Sequence, residues 1–206
     1  MIEHYDWPGG REAMLRFGPA TGPVIVAALP LFEEANRTRT FAVTLLRALA
    51  ERGVASLLPD LPGQGESLVP TESATLADMR TALAAVPGDY TLAIRSGALL
   101  DSGERKGCYH FAPQQGTELL RELNRLRTTA GSEDFGGNRL SATLLTELES
   151  ATTTKARTVR HETDAKAADL KVSGAPLWRR AEPDNDPALA NLLADDIAAW
   201  VRACES

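Results

Sequence analysis

The 206-residue sequence predicts an α/β fold, a mainly parallel sheet flanked by helices on both faces in three layers. Two observations predict it. The runs VIVAAL (24–29), VASLL (54–58) and YTLAI (90–94) are apolar without alternation, as strands covered on both faces must be. Between them the apolar residues recur at helical spacing, and a crossover of that length returns parallel to its starting strand.

Taken in order, residues 12–17 alternate loosely ahead of Gly18-Pro19-Ala20-Thr21-Gly22-Pro23, which reads as a short strand and a turn. VIVAAL follows as a central strand. From Thr40 the spacing of Phe41, Leu45, Leu46, Leu49 and Val54 predicts a helix stopped at Gly53, which leaves residues 29–39 as a loop. VASLL is the next strand, residues 76–86 an amphipathic helix ended by Pro87-Gly88, and YTLAI and residues 106–112 two further strands. Residues 117–127 and 140–148 are helical by spacing and are separated by the glycine-rich GSEDFGGN, a helical excursion over 113–150. ATTTKARTVRHETD (151–164) and DLKVSG (169–174) offer two short strands whose order stays open. Asp186-Pro187 opens a last helix through Ala203, with Leu189, Leu192, Leu193, Ile197 and Trp200 on one face.

The totals limit the function. A chain of this length suits one domain over 1–206, large enough to bury a real core. The net charge of −6 leaves no basic stripe to displace phosphate counterions, so no nucleic acid is expected. The start MIEHYDWPGGREAM lacks a basic segment followed by an apolar one, and no apolar run reaches the length of a membrane span. A cytoplasmic protein without a membrane span is expected. Cys108 and Cys204 are read as free thiols.

Strand VASLL runs into PDLPGQGES (59–67), a D-x-x-G-x-G-x-S loop in which glycines let the chain turn tightly. This loop, and the order in which strands, helices and sharp turns precede and follow it, resemble the first half of the α/β-hydrolase fold. More narrowly, LPLFEEANRTRTFAVTLLRALAERGVASLLPDLPGQGES resembles the hydrolase-like proteins associated with bacterial exosortase systems, which carry a similar Phe-x-Glu-Glu-x-Asn segment. IRSGALL, FAPQQGTELLRELNRLR, GGNRLSATLLTELE and GAPLW extend the likeness over most of the chain. The resemblance implies an α/β-hydrolase-like sheet and a link to export or polysaccharide systems. The chain departs from that fold in one respect, because few residues lie between Gly97 and the next strand and the helix after the elbow is truncated.

In the hydrolase elbow the residues two before and two after the nucleophile must be small, since their side chains would collide across the turn. Centred on Arg95, the flanking residues are Ala93 and Gly97; centred on Ser96, they are Ile94 and Ala98. Size therefore puts Arg95 at the apex, and Ser96 one residue beyond it. A guanidinium stays protonated and has no electron pair for attack or for base catalysis. The fold's histidine belongs in a late loop, and that loop, KVSGAPLWRRAEPDND (171–186), has none; the histidines are His4, His110 and His161.

The catalytic residue is thus unknown, with Ser96 the weak candidate. The expected ligand-binding set is Arg95, Ser96, Glu33, Glu34 and Trp178. Arg95 beside a helix N-terminus favours an anion, unless it pairs internally with Glu33, Glu34 or Asp60. Glu33 or Glu34 serves as an acid or base, or as a carboxylate opening a helix. Trp178 lines a pocket from the late loop or packs on the last helix. Arg179-Arg180 and the acids after them read as a self-neutralising loop. His161-Glu162-Thr163-Asp164 lacks metal-ligand spacing, so neither metal nor cofactor is expected. Three readings stay open: a degenerate relative binding a small anionic ligand or a protein partner; a serine hydrolase or acyltransferase with an acyl or ester substrate; and a structural homodimer formed through an apolar patch left by the truncated helix.

Overall fold

The computed structural model describes residues 1–130, 134–135 and 137–206. Its eight strands form one sheet in the order β1-β2-β4-β3-β5-β6-β7-β8. They are β1 (Ile2–Trp7), β2 (Gly10–Phe17), β3 (Val24–Ala28), β4 (Ala55–Pro59), β5 (Tyr90–Ile94), β6 (Gly107–Phe111), β7 (Arg157–His161) and β8 (Leu170–Val172). β1 and β2 form an antiparallel hairpin, and β2 runs antiparallel to β4; every later pairing is parallel. The runs read as doubly covered behave so, with every residue of β4 and β5 buried.

Five α-helices cover the sheet: α1 (Glu33–Glu51), α2 (Leu76–Ala85), α3 (Gly116–Ala130), α4 (Ala142–Ser150) and α5 (Pro187–Glu205). Phe41, Leu45 and Leu49 of α1 pack with Leu189, Leu193 and Ile197 of α5 over one face of the sheet. Met79 and Leu83 of α2, Leu119 and Leu123 of α3, and Leu144 and Leu148 of α4 fill the other face. Local chemistry fixes several helix starts. Thr75 and Asp78 form a reciprocal capping box at α2, Ser141 caps α4, and Asp186 caps α5 with Pro187 in the first turn.

Two readings need correction and one open point is settled. β1 escaped the sequence reading because IEHYDW is mostly exposed at the sheet edge and shows little apolar signal. α1 starts at Glu33, not Thr40, so Glu33 and Glu34 lie in its first turn and not in a loop. Apolar spacing missed that turn because its residues are polar, while acidic groups are stabilised at a helix N-terminus by the exposed N–H groups. β7 and β8 extend the sheet in parallel beyond β6, which settles the order left open. The helices of the 113–150 excursion are α3 and α4; of the glycine-rich stretch between them, residues 131–133 and 136 lie outside the described residues.

Candidate active site and ligand cavity

Among the described residues three non-glycine residues have positive φ, and they follow β3, β5 and β6 at their carboxyl ends: Phe32 (60°), Arg95 (55°) and Ala112 (50°). Such backbone strain is retained where the surroundings over-determine it, most often at sites. Arg95 begins the single-turn 3₁₀ helix Arg95–Leu99, which takes the place of a longer elbow helix. A Cβ on Gly97 would lie 2.5 Å from the carbonyl oxygens of both Ala28 and Leu29, so the elbow packs against β3 only with a hydrogen there. Gly63 and Gly65 of the PDLPGQGES loop both have positive φ, and a Cβ on Gly65 would strike the Asp60 carboxylate at 2.2 Å.

The Arg95 guanidinium is gripped from two sides. Its Nε and Nη2 donate to the two carboxylate oxygens of Glu34 at 3.2 Å each. Nη2 also reaches Glu122 of α3 at 3.3 and 3.4 Å, and Gln114 Nε2 donates to the same Glu122 carboxylate at 2.7 Å. One cation between two carboxylates leaves one of them poorly neutralised. Burial drives the Glu34 carboxyl above its ordinary range; Arg95 opposes this and Glu122 adds to it. Of the other partners foreseen for Arg95, Glu33 pairs with Arg37 and Asp60 with Arg39.

Ser96 is fully buried, and its Oγ accepts the Leu31 N–H at 2.9 Å. The hydroxyl thus ties the elbow to the loop after β3. In the late loop Trp178 lies under Arg95, whose guanidinium carbon is 4.7 Å from the ring centre. The same indole meets His161, at the end of β7, with ring centres 5.4 Å apart, and Phe111 at 5.9 Å. His161 is buried, neither ring nitrogen has a hydrogen-bond partner, and burial holds its pKa below the usual histidine range.

By sequence the chain matches no family model and no curated protein. By structure it is similar to proteins of one architecture. The mouse alpha/beta hydrolase domain-containing protein 10 superposes with a TM-score of 0.67 at 12% identity, covering 98% of this chain and 99% of that one. A haloalkane dehalogenase variant from Bradyrhizobium elkanii gives 0.66 at 12% identity, covering 100% and 97%. Est1E from Butyrivibrio proteoclasticus, solved with ferulic acid bound, gives 0.58 at 14% identity, covering 98% of both chains. The chain has the α/β-hydrolase fold.

In an α/β-hydrolase fold the nucleophile stands on the strand-to-helix elbow and the triad follows in the chain order Ser, acid, His. Here the elbow residue with positive φ is Arg95, the end of β7 carries His161, and the loop after β8 presents Trp178. The constellation holds a permanent cation, an imidazole without polar partners and an indole. One N–H of the β3 loop, the segment that supplies an oxyanion donor in this fold, is taken by Ser96. Among the described residues no group of three His, Cys, Asp or Glu side chains is placed to hold a metal ion.

Two adjoining cavities open beside this cluster. The larger, about 380 Å³, is lined by the cations Arg95, Arg121, Arg125, Arg160, Lys166 and Arg179 and by the acids Glu118, Glu122 and Asp164. Glu34, behind Arg95, adds a fourth acid, so cations still prevail. The smaller, about 240 Å³, has apolar walls from Leu31, Phe32, Leu119, Leu123 and Leu126. Both are bounded by Glu122, Arg125, Trp178 and Arg179. Arg180 pairs with Asp184 as the self-neutralising reading requires, whereas Arg179 faces both cavities. Sequence reasoning did not reach Gln114, Glu122 and Arg160. Glu122 leaves a local trace in the charged stripe of Glu118, Arg121, Glu122 and Arg125 at helical spacing on α3, whereas Gln114 precedes that helix and Arg160 lies on β7.

Proposed function

We propose that this α/β-hydrolase-like protein is catalytically degenerate and binds a small anionic ligand at the carboxyl ends of its strands. The observation that carries the reading is Arg95 at the elbow, stacked on Trp178 where the fold carries its base. A guanidinium cannot attack a carbonyl, and an indole cannot relay a proton. The excess of cations around the larger cavity supplies the attraction that an anion needs. A solved relative described as the bottromycin epimerase BotH in complex with bottromycin A2 superposes with a TM-score of 0.56 at 14% identity, so the fold hosts work other than hydrolysis.

The serine hydrolase alternative needs Ser96 at the point of attack, yet its hydroxyl is buried and engaged by Leu31. Among the described residues the exposed large apolar side chains are dispersed, with Met1 and Ile2 at β1, Leu68 in the loop after β4, Leu126 on α3 at the rim of the smaller cavity and Leu192 on α5, so they give the homodimer and protein-partner alternatives no shared apolar element. A cytoplasmic location and a role beside an exosortase-type export system belong to this proposal and rest on the sequence resemblance; no described helix is long and apolar enough to cross a membrane.

Titration calorimetry with inorganic phosphate and with N-acetylglycine, alongside a fluorophosphonate probe and short acyl esters, tests the reading. Saturable anion binding without labelling or turnover is expected. Ester turnover abolished by Ser96→Ala would overturn it.

A further inference from the structure

The buried polar atoms left without partners are not spread evenly over the molecule. Among the described residues nine such side-chain atoms occur, and four of them belong to Gln114, Arg160 and His161, which line the larger cavity. Gln114 commits Nε2 to Glu122 but leaves Oε1 unpaired. Arg160 commits its two terminal nitrogens to Asp164 and to the Pro113 carbonyl, and leaves Nε unpaired. His161 leaves both ring nitrogens unpaired. Native structures keep few orphans of this kind because each loses its hydration on burial without gaining a partner in return. Their concentration at one cavity points to groups that complete their hydrogen bonding when a ligand enters.

The orphans also specify what the ligand must offer. Arg160 Nε asks for an acceptor and Gln114 Oε1 for a donor, while a neutral imidazole asks for one of each. A bare carboxylate has no donor, so a carboxylate head group needs an O–H or amide N–H beside its anionic oxygens. The apolar cavity across the shared wall of Trp178 and Glu122 asks for a hydrocarbon chain.

Resting on the anion-binding reading above, we infer that the two cavities together take an amphiphilic anion of the N-acyl amino acid class. The carboxylate and amide lie among Gln114, Arg160 and His161, and the acyl chain lies along Phe32, Leu123 and Leu126. Glu122, half-exposed and shared by both cavities, marks the junction.

Calorimetry on the whole chain with N-decanoylglycine, decanoate and N-acetylglycine tests this. Each buried methylene is worth roughly a fourfold change in affinity. N-decanoylglycine should therefore bind at least about a hundredfold tighter than N-acetylglycine, even with half of its extra chain buried. It should also bind tighter than decanoate, which lacks the amide. Leu126→Glu, at a partly exposed position on the cavity rim, should fold normally by circular dichroism and shrink the ratio between the decanoyl and acetyl ligands at least tenfold. Equal affinity for N-acetylglycine and N-decanoylglycine would overturn the chain assignment while leaving the anion site standing. Equal affinity for decanoate and N-decanoylglycine would overturn the donor requirement. Failure of all three to bind would overturn this inference and the anion site together.

Discussion

The guanidinium carbon of Arg95 lies 4.7 Å from the centre of the Trp178 ring. A cation on an aromatic face gains from about 0.5 kcal/mol in water to about 2 kcal/mol when desolvated, and Arg95 is largely buried. The contact joins the elbow to the late loop, the two places from which this fold draws its nucleophile and base. Restoring a hydroxyl alone therefore restores no chemistry. Arg95→Ser is expected to leave p-nitrophenyl acetate hydrolysis at the level of buffer, as a spectrophotometric assay would register. Turnover clearly above buffer would show that a base is within reach.

Glu34 carries a proton-linked signature. Its folded pKa lies above the unfolded value, so the folded chain binds the proton more tightly and Glu34's contribution to stability falls as pH rises between the two values. The stability gap between the natural chain and Glu34→Gln should thus be widest at the acid end, below the ordinary carboxylate pKa of about 4.3, and narrow as pH rises through the raised value. Urea unfolding at a series of pH values reads this directly; a gap that widens with pH would contradict it.

His161 works in the opposite sense. Burial lowers its pKa, so its contribution is complete above the unfolded value of about 6.5 and is lost as pH falls through the lowered one. His161→Phe keeps the ring contacts with Phe111 and Trp178 while removing two unpaired nitrogens. The variant should be more stable by about 1 kcal/mol at pH 7.5, roughly 2–4 °C in Tm, and by more at pH 5.5. Calorimetric scans at the two pH values decide it.

The two thiols should differ sharply in reactivity. Burial pushes the Cys108 thiol up to about 12, with the Asp101 carboxylate adding to the effect, whereas Cys204 is exposed. Asp101 is itself buried, which raises its pKa, yet hydrogen bonds from His110, Cys108 and the Gly103 N–H outweigh that and leave it low. Only a thiolate attacks a disulfide reagent. Ellman's reagent should titrate one thiol in the native protein and two in urea, and a rapid second equivalent under native conditions would be inconsistent with a sealed Cys108.

Gly97→Ala tests the size rule that sets the elbow register. The new methyl would meet two backbone oxygens at 2.5 Å, and neither can swing aside. Overpacking of this kind costs roughly 1–3 kcal/mol. The urea midpoint should fall accordingly with the slope unchanged. A neutral substitution would contradict the close packing of the elbow on β3.

Much of this was legible in the residues because the causes are local. Doubly apolar runs announced β3, β4 and β5, since a strand covered on both faces has no polar side to show. Ala93 and Gly97 announced which residue caps the turn, because steric exclusion across a tight bend acts over two residues. β1 was lost because an exposed edge strand leaves little apolar signal, and the first turn of α1 because its helicity comes from charge at an N-terminus.

The sequence by itself determined the class of fold, the identity of the residue at the elbow and the absence of a histidine in the late loop. The tertiary structure alone decided that Glu34 and Glu122 share one guanidinium, that Trp178 lies beneath it, and that His161 reaches the same cluster from β7. These groups are separated by tens of residues and meet only after parallel crossovers stack the strand ends side by side. Spacing along the chain records the sterics of a turn or a helix face, but it holds no measure of which distant side chains the assembled sheet and its helices bring within hydrogen-bonding range.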